Sequence, residues 1–360
     1  MIEIDGSYLE GGGQIIRTAL ALSTLTGKPF RAINIRKGRC HAGLKNQHMF
    51  AIKALKEICN AHVEGDILGS ESLVYIPRKA KPKSLTIDIG TAGSITLLLQ
   101  ALVPVYIFGD RRVVLRIRGG TDTKWSMPID YLINVLVPHL QKYADISIEV
   151  LRRGYYPKGG GKIKLRIAPK YRLEDIYNKT TEHEDLRINL CSQSKLIHIA
   201  GVSHASKDLM KGNVAERQAK AAKIMLSKSN ISPKIRIEYC DSLSTGSGIC
   251  LWAIFSDNDE INYKNPVIMG ADSLGKKGKK AEAVGQESAE RLLTQIQSQG
   301  AADVYLSDQL LPFMGFFAPS NINASDVSSH SKTNIYVIEK FLPVEFTIEG
   351  NKISSRKVLD

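Results

Sequence analysis

The stretch LTIDIG at residues 85–90 decides the fold, because it repeats the opening of the chain, IEIDG at residues 2–6. Each stretch leads through a glycine turn into a long apolar helix pattern, over 14–25 in the first copy and 95–106 in the second. Each copy continues with a turn, a strand, a second helix pattern and two further strands. Internal repeats of this kind change the fold that a chain is expected to adopt. The sequence therefore predicts a βαβαββ unit that occurs twice.

A third copy of the unit is recognisable in its later parts. One helix pattern spans 281–298 and a second lies near 334–340. Strands are predicted at 344–347 and 352–355, where apolar and polar residues alternate. Three βαβαββ units are therefore expected to form one large domain.

The character of the sequence changes between the second and third copies. Roughly over 180–270, a strand is followed by a Lys/Ala-rich helix pattern and two more strands, with polar segments on both sides. Inserted modules are tolerated where the joining ends lie close together. The predicted fold is thus α+β or α/β: a large domain of 1–179 plus 271–360, and a small inserted α/β domain of 180–270.

Length and composition favour a soluble protein of the cytoplasm. The chain has 360 residues, of which 43% are hydrophobic, enough for a substantial core. It contains no apolar window of 18 residues and no N-terminal leader pattern. The five cysteines form no C-x-x-C pair, which fits a reducing compartment and makes a zinc site improbable.

The net charge of +13 favours a polyanionic partner, and nucleic acid is the first candidate. The alternative is a lysine-rich surface that serves solubility only. Arginines near glycines or at strand ends favour the first interpretation, because they are well placed for bidentate phosphate contacts. These arginines are Arg17, Arg36, Arg39, Arg116, Arg118, Arg152 and Arg153.

Two stretches near opposite ends of the chain predict phosphate chemistry. In EGGGQ at 10–14, glycines between a strand and a helix let backbone N–H groups approach an anion, and Glu10 suits a divalent cation that bridges to phosphate. In SSHSKTN at 328–334, His330 has no acidic run beside it, so we expect a free nucleophile rather than one half of an ion pair. Thr333 and Asn334 are candidates to orient its imidazole.

Three further stretches have a functional and a purely structural interpretation. Gln47 and His48 follow the arginines at 36 and 39 and either line one rim with them or are exposed first-turn residues. RGYYPKGGG at 153–161 is either a turn or a place where a tyrosine stacks on a base. In YLSDQLL at 305–311 the leucines form a core face, and the residues between them either line a nucleotide pocket or are solvated.

In this order, these stretches resemble the RNA 3′-terminal phosphate cyclases over nearly the whole chain. The stretch at 153–161 resembles the signature of that family. Its other landmarks are matched by EGGGQ at 10–14, GTAGS at 90–94, GGTD at 119–122 and DQ at 308–309. The fold that the family implies, three βαβαββ units with an inserted α/β domain, agrees with the repeat analysis.

The resemblance implies an ATP-dependent, ligase-type nucleotidyl transfer in three steps. A histidine, which maps to His330, attacks the α-phosphate of ATP and forms a covalent histidyl-AMP. AMP then passes to an RNA 3′-phosphate, giving an RNA(3′)pp(5′)A intermediate. The neighbouring 2′-hydroxyl finally closes a 2′,3′-cyclic phosphate and releases AMP.

The resemblance also assigns roles to particular residues. Glu10 would hold Mg²⁺ or Mn²⁺. The RNA phosphate would be bound by Arg17, Arg36, Arg39 and Gln47. The ATP or AMP pocket would be formed by Gln100, Pro128, Tyr305, Asp308 and Gln309, together with His330.

Two other functions remain as alternatives. A non-catalytic relative that serves ribosome biogenesis would lack the nucleophile, so His330, Arg36 and Arg39 argue against it. An enolpyruvyl transferase of similar units would need six of them, more than this chain can hold. The expected partners are RNA 3′-phosphate ends and no membrane, and a homo-oligomer is compatible with the sequence. The physiological RNA, the strictness for ATP and the use of DNA ends stay open.

Overall fold

Four four-stranded sheets carry the fold of the computed structural model, which describes residues 1–174, 184–229, 231–258 and 260–358. Strands and helices are numbered here along the chain. Every sheet combines parallel with antiparallel pairs, and helices cover the sheets. The protein is therefore of the mixed α+β class.

The first sheet has the order β1-β2-β4-β3. Its first two strands are parallel, and the remaining neighbours are antiparallel. The elements are β1 (Ile2–Asp5), α1 (Gln14–Thr26), β2 (Phe30–Ile33), α2 (Asn46–Cys59), β3 (His62–Glu64) and β4 (Leu73–Ile76).

The second sheet has the equivalent order, β5-β6-β8-β7, with the same pattern of parallel and antiparallel neighbours. Its second helical segment changes from α to π geometry and back. Such π-helical turns within α-helices are frequent at functional sites. The elements are β5 (Leu85–Asp88), α3 (Ile95–Ile107), β6 (Val113–Gly119), α4 (Ile129–Tyr131), a π-helical turn (Leu132–Leu136), α5 (Val137–Leu140), β7 (Ala144–Arg152) and β8 (Gly161–Pro169).

Another sheet is formed by residues that follow β9 (Asn189–Leu190) and precede the C-terminal elements in the sequence. Its strand order is β11-β10-β12-β13. The elements are β10 (Lys195–Ser206), α6 (Val214–Leu226), β11 (Lys234–Cys240), β12 (Ser247–Ser256), β13 (Val267–Leu274) and α7 (Ala281–Gln297).

The last sheet has the order β9-β14-β16-β15, again with one parallel and two antiparallel pairs. It therefore shares strand order and sense with the first two sheets. Its remaining elements are α8 (Val304–Phe316), β14 (Ser320–Asn323), α9 (Ser329–Phe341), β15 (Val344–Glu349) and β16 (Lys352–Lys357).

Helix α7, which the sequence pattern assigns to the third unit, packs in a different part of the molecule. Its buried residues Val284, Ala289 and Leu292 belong to a second hydrophobic core, which also contains residues of α6 and β12. The amphipathic pattern of 281–298 indicates a helix but does not specify which sheet covers its apolar face. The predicted boundary between 179 and 180 lies outside the described residues.

Helix α1 occupies the centre of the main core, because residues 14 to 24 are all buried. It contacts α3 on one side and α9 on the other. The cap of α9 is local: the Ser328 hydroxyl accepts the Ser331 N–H at 3.1 Å. This packing brings the glycine turn before α1 to the first turn of α9.

The RGYYPKGGG stretch ties the second sheet to the sheet of β10 to β13. Arg153, only 1% exposed, donates to Asp130 at 2.7 Å and to Glu238 of β11 at 2.6 Å. Tyr155 is buried and stacks on His204, whose Nδ1 lies 2.8 Å from the tyrosine hydroxyl. In the part of the chain that the structure describes, no helix is long and apolar enough to cross a membrane.

Candidate active site

Glu10 and His330 meet where α1 and α9 begin. Glu10 Oε2 lies 3.3 Å from His330 Nε2, and both side chains are partly exposed. Arg39 donates from Nε to the Glu10 carbonyl oxygen at 2.9 Å and from Nη2 to Glu10 Oε2 at 3.2 Å. The Glu10 carboxylate is therefore shared between an arginine and the imidazole.

Gln14, the first residue of α1, connects His330 to Asp308. Its Oε1 contacts His330 Nδ1 in a short hydrogen bond. Its Nε2 donates to Asp308 Oδ1 at 2.6 Å and to the His330 carbonyl oxygen at 3.2 Å. Both amide atoms of this nearly buried side chain are thus used.

Asp308 is held from a second side by Asn334. The Asn334 amide donates to Asp308 Oδ1 at 2.7 Å, and its own oxygen accepts from the Thr18 hydroxyl at 2.6 Å. Burial raises the pKa of Asp308 to about 6, against the opposing effects of His330 and Gln14. Asn334 therefore orients Asp308, not His330 as the sequence suggested, and the Thr333 hydroxyl bonds back to Ser329.

Arg17 lies under this network at the edge of a cleft. It is 8% exposed and donates from Nε to Gln100 Oε1 at 3.0 Å. Burial lowers its pKa to about 10, which keeps the guanidinium charged at neutral pH. The cleft is open to solvent, and its lining includes Arg17, Gln100, Asp308, Gln309, Pro312 and Phe313.

His48 is a buried neighbour of the arginines. Its Nδ1 accepts the Lys45 N–H at 3.0 Å, and its Nε2 has no hydrogen-bond partner among the described residues. Burial lowers its pKa well below the ordinary value, and the nearby Arg17 and Arg36 act in the same direction. The imidazole is therefore neutral at pH 7, with its proton on Nε2.

The glycine turn allows this close approach. A Cβ on Gly13 would lie 2.2 Å from His48 Nε2 and 3.3 Å from Arg17 Nη1, closer than a side chain tolerates. Arg36 adopts a left-handed φ of 58°, and its buried Nε also finds no partner in the described chain. Burial lowers the pKa of Arg36, and Arg39 adds to the effect. Cationic and neutral donors thus gather beside the turn.

Gln47 faces a different opening from Arg17. It lines a groove formed by the start of α2, the loop of Leu68 and Gly69, and the turn of Thr91 to Gly93. His48, the next residue, contacts the glycine turn. The groove therefore opens on the other side of the His48 imidazole.

Tyr305 and Gln309 lie on α8 at the cleft. Tyr305 is half exposed, and its ring packs edge-on against Tyr131 with centroids 6.4 Å apart. Gln309 Nε2 contacts Met127 Sδ at 2.6 Å. Pro128 follows Met127 in the chain and caps α4, because its carbonyl oxygen accepts the Tyr131 N–H. The segment of 127–131 and the start of α8 therefore pack against each other.

A comparison with known protein families identifies the family of this chain. A family model described as RNA 3′-terminal phosphate cyclase matches residues 8–348. The chain belongs to the RNA 3′-terminal phosphate cyclase family. The resemblance seen in the sequence is thereby confirmed.

Relatives of that name match over almost their whole length. The protein from Pyrococcus abyssi is 46% identical over 352 residues, 97% of this chain and 96% of the relative. Those from Methanopyrus kandleri and Archaeoglobus fulgidus are 43% and 42% identical, over 98% of this chain and 96% and 99% of the relatives. The range matched by the family model spans the positions of every site residue named above.

Two of the predicted groups form contacts in this family member. Glu10 contacts both Arg39 and His330, and Arg17 bonds Gln100 beside Asp308. His330 has no acidic run beside it in the sequence and was expected not to be one half of an ion pair, but in the fold Glu10 Oε2 lies 3.3 Å from its Nε2. The partner comes from the other end of the chain, so no local pattern around 330 could reveal it.

Sequence reasoning gave no role to Gln14 or His48. Gln14 was visible as the last residue of EGGGQ, where the first turn of a helix faces whatever the glycines approach. His48 was considered with Gln47 as a rim residue or an exposed one, yet it is fully buried. Their roles depend on contacts with α9 and α1, which the sequence does not display.

Glu10 fits a divalent cation that also binds phosphate. Its carboxylate is partly exposed and lies at the imidazole nitrogen. Mg²⁺ commonly takes one or two protein carboxylates and completes its shell with phosphate oxygens and water. In contrast, the cluster of Asp122, Asp130 and His204 is already neutralised, because the buried Arg153 bonds both carboxylates.

Proposed function

We propose that this chain converts an RNA 3′-phosphate to a 2′,3′-cyclic phosphate at the expense of ATP, as a ligase-type nucleotidyl transferase. Relatives that carry the name RNA 3′-terminal phosphate cyclase support the activity. One geometric observation supports His330 as the nucleophile: its Nε2 lies 3.3 Å from the Glu10 carboxylate, beside the cleft.

In the first step, His330 Nε2 attacks the α-phosphorus of ATP. An N–P bond forms while the bond to the bridging oxygen breaks, and pyrophosphate leaves with the electron pair. A neutral imidazole is a competent nucleophile near pH 7, because its ordinary pKa is about 6.5. The positive end of α9, one residue before His330, favours the negatively charged phosphate.

In the second step, an oxygen of the RNA 3′-phosphate attacks the phosphorus of the adenylate, and the N–P bond to His330 breaks. In the third step, the neighbouring 2′-hydroxyl loses its proton and attacks the 3′-phosphorus, and AMP leaves with the electron pair of the broken P–O bond. Each displacement places charge on phosphate oxygens. Fixed cations stabilise such charge best when they are held before the reaction. The contacts of Arg17 with Gln100 and of Arg39 with Glu10 hold both guanidinium groups in place.

The RNA phosphate would bind between Arg17, Arg36 and Arg39. The unpartnered Nε of Arg36 supports this, because a buried donor without an acceptor costs about 1–3 kcal/mol until a ligand supplies one. Gln47 would contact the RNA from the groove at the start of α2. Nucleotides upstream of the terminal phosphate would leave the site through this groove.

The nucleotide would occupy the cleft and its mouth. Gln100, Asp308 and Gln309 line the cleft, and Tyr305 is half exposed on the helix that carries Asp308 and Gln309. Pro128 and Tyr305 would flank the adenine. Glu10 would hold Mg²⁺ or Mn²⁺, which, when bound, shields the charge of the phosphates.

Histidine adenylylation is the decisive test of this function. The protein is incubated with Mg²⁺ and ATP labelled at the α-phosphate, denatured, and examined for retained label. We expect an alkali-stable, acid-labile adduct, as a phosphoramidate requires, and its loss in His330→Ala. ATP labelled at the γ-phosphate should leave nothing on the protein.

His62→Ala is the matched control, because His62 is a largely exposed strand histidine far along the chain from both helix starts. It should form the adduct at the wild-type rate. Absence of any adduct in the wild-type protein would overturn the enzymatic proposal and favour a non-catalytic factor.

We also infer the architecture and setting of the enzyme. Three βαβαββ units with an inserted α/β module are supported by the shared order of three sheets. The packing of α7 favours a module that extends past residue 270. Five free cysteines support a reducing compartment such as the cytoplasm. The proposed partners are RNA 3′-phosphate ends, and self-association is not required by the site.

A further inference from the structure

We propose that Gln14 is a positioning residue that fixes the tautomer of His330, so that the Nε2 lone pair is ready to attack phosphorus. This inference rests on the proposed function, in which His330 is the nucleophile. It concerns a residue that sequence reasoning gave no role.

The orientation of the Gln14 amide is determined by its surroundings. Its NH₂ group faces two oxygen atoms that accept hydrogen bonds, Asp308 Oδ1 at 2.6 Å and the His330 carbonyl oxygen at 3.2 Å. A flipped amide would place its own oxygen against both acceptors and lose both bonds. The carbonyl oxygen of Gln14 must therefore face His330 Nδ1.

The orientation is supported by a chain of donors behind Asp308. The Thr18 hydroxyl donates to Asn334 Oδ1 at 2.6 Å, so the NH₂ group of Asn334 points to Asp308. That group donates to Asp308 Oδ1 at 2.7 Å and to its carbonyl oxygen at 3.1 Å. In each of these hydrogen bonds a donor faces an acceptor, and the series ends at Gln14.

An oxygen acceptor at Nδ1 requires a proton on that nitrogen. A neutral imidazole carries one proton, so Nε2 is left with its lone pair. Nε2 lies 3.3 Å from Glu10 Oε2 without the geometry of a hydrogen bond, in contrast to the bond at Nδ1, and it is the nitrogen on the side where the phosphates would bind. In free histidine the other tautomer prevails, so the protein has to select this one.

With this tautomer, the adenylylation step needs no general base. The Nε2 lone pair forms the N–P bond, and the electron pair of the broken P–O bond leaves on pyrophosphate. No proton leaves Nε2, because none is bound there. Nδ1 keeps its proton, and the positive charge of the phosphorylated ring faces Gln14 Oε1. When AMP passes to RNA, the N–P electron pair returns to Nε2.

The first test reads the tautomer directly, without ATP. The ring nitrogens of ¹⁵N-histidine-labelled protein are observed by NMR at pH 8, and the His330 signals are identified by their loss in His330→Ala. We expect a protonated Nδ1 and an unprotonated Nε2 in the wild type. In Gln14→Ala and in the volume-matched Gln14→Met, the proton should move to Nε2. An unchanged pattern in both folded variants would overturn the proposal.

The second test measures the rate at which label from α-labelled ATP is retained in a single turnover. Loss of the correct tautomer should slow adduct formation by about 100-fold, since a misplaced imidazole proton blocks nucleophilic attack. Because Gln14 also lines the cleft and bonds Asp308, the rate is compared at saturating ATP, where the defect should remain. Gln286→Ala, an exposed glutamine on α7, is the matched control and should behave as wild type.

The two tests separate the two proposals. If the wild type forms no adduct, the proposed function fails, while the NMR pattern still decides whether Gln14 selects the tautomer. If the wild type forms the adduct and Gln14→Met forms it equally fast, the function stands and the role of Gln14 is refuted.

Discussion

The hydroxyl group of Tyr131 donates to both carboxylate oxygens of Asp303, at 2.7 and 2.9 Å. The same carboxylate caps α8 by accepting the N–H groups of Tyr305 and Leu306 at 2.9 and 3.0 Å. It also accepts the Gly270 N–H of β13 at 2.8 Å. One fully buried side chain therefore joins α4, β13 and the helix that carries Asp308 and Gln309.

Asp303→Ala should destabilise the protein strongly, because three backbone donors and one hydroxyl lose their acceptor at once. Losing a cap costs about 1 kcal/mol, and each stranded buried donor adds to it, so we expect about 3 kcal/mol in total. Tyr131→Phe, which removes one of these four donors, should cost about 1 kcal/mol. Urea unfolding measures both. Asp257→Ala, at an exposed position, should leave the midpoint unchanged, and an equal loss there would contradict the capping argument.

Tyr305→Ala should weaken ATP binding while Tyr305→Phe should not. The ring is half exposed and is held edge-on by Tyr131, so it offers a face for a nucleobase. Stacking of a base on an aromatic side chain is worth about 1–3 kcal/mol, which corresponds to at least about a fivefold rise in KM for ATP. The label-retention assay gives this KM. Tyr263→Ala, at an 81% exposed tyrosine, is the control, and a rise there of the same size would rule out a specific stack.

Stability should fall below pH 6.5, in part because His139 is buried without charge. Burial lowers its pKa to about 3, and Lys142 adds to the effect. In the unfolded chain its pKa is near 6.5, so between these values the unfolded state binds more protons. Each such histidine therefore lowers the free energy of unfolding by about 1.4 kcal/mol per pH unit as the pH falls through this window.

His139→Gln should lose this part of the pH dependence. Between pH 6.5 and 5, the free energy of unfolding should fall by about 2 kcal/mol less in the variant than in the wild type. The contribution of Asp308 is present in both proteins and cancels. Urea unfolding at the two pH values measures the difference, and parallel curves for the two proteins would refute the assignment.

Removal of Arg153 should loosen the sheet of β10 to β13 from the second sheet. Arg153→Met leaves Asp122 and Asp130 buried without their cation, and breaking such a network costs about 3–5 kcal/mol. Amide hydrogen exchange in β11 should accelerate, because Glu238 loses its buried partner. Arg236→Ala removes only the exposed partner of Glu238 and should leave exchange unchanged. Equal exchange in Arg153→Met and the wild type would contradict this role.

Local patterns predicted the elements well where one segment determines its own structure. The helix patterns of 14–25 and 95–106 correspond to α1 and α3, and Ser94 and Ser328 cap α3 and α9. The amphipathic pattern of α7 likewise indicated a helix. Its placement in the second core depends on which sheet offers a matching apolar face, and periodicity carries no such information.

The candidate site was predictable in its residue types and not in its connections. Glu10 and His330 were identified as chemistry-bearing residues, but their contact requires α1 and α9 to pack side by side. The same packing turns Gln14 towards the imidazole and leaves Asn334 to bond Asp308 instead. Family resemblance could transfer roles to positions, whereas hydrogen-bond partners had to be read from the fold.

A side chain at Gly13 would place its first carbon 2.2 Å from Nε2 of the buried His48, a separation that real side chains essentially never show. A gene library randomised at this codon and selected for RNA end modification should return glycine alone. The same library at Gly38, where a Cβ would meet nothing within 4 Å, should return many amino acids. Evolution of new substrates in this enzyme must therefore proceed around an invariant backbone at position 13.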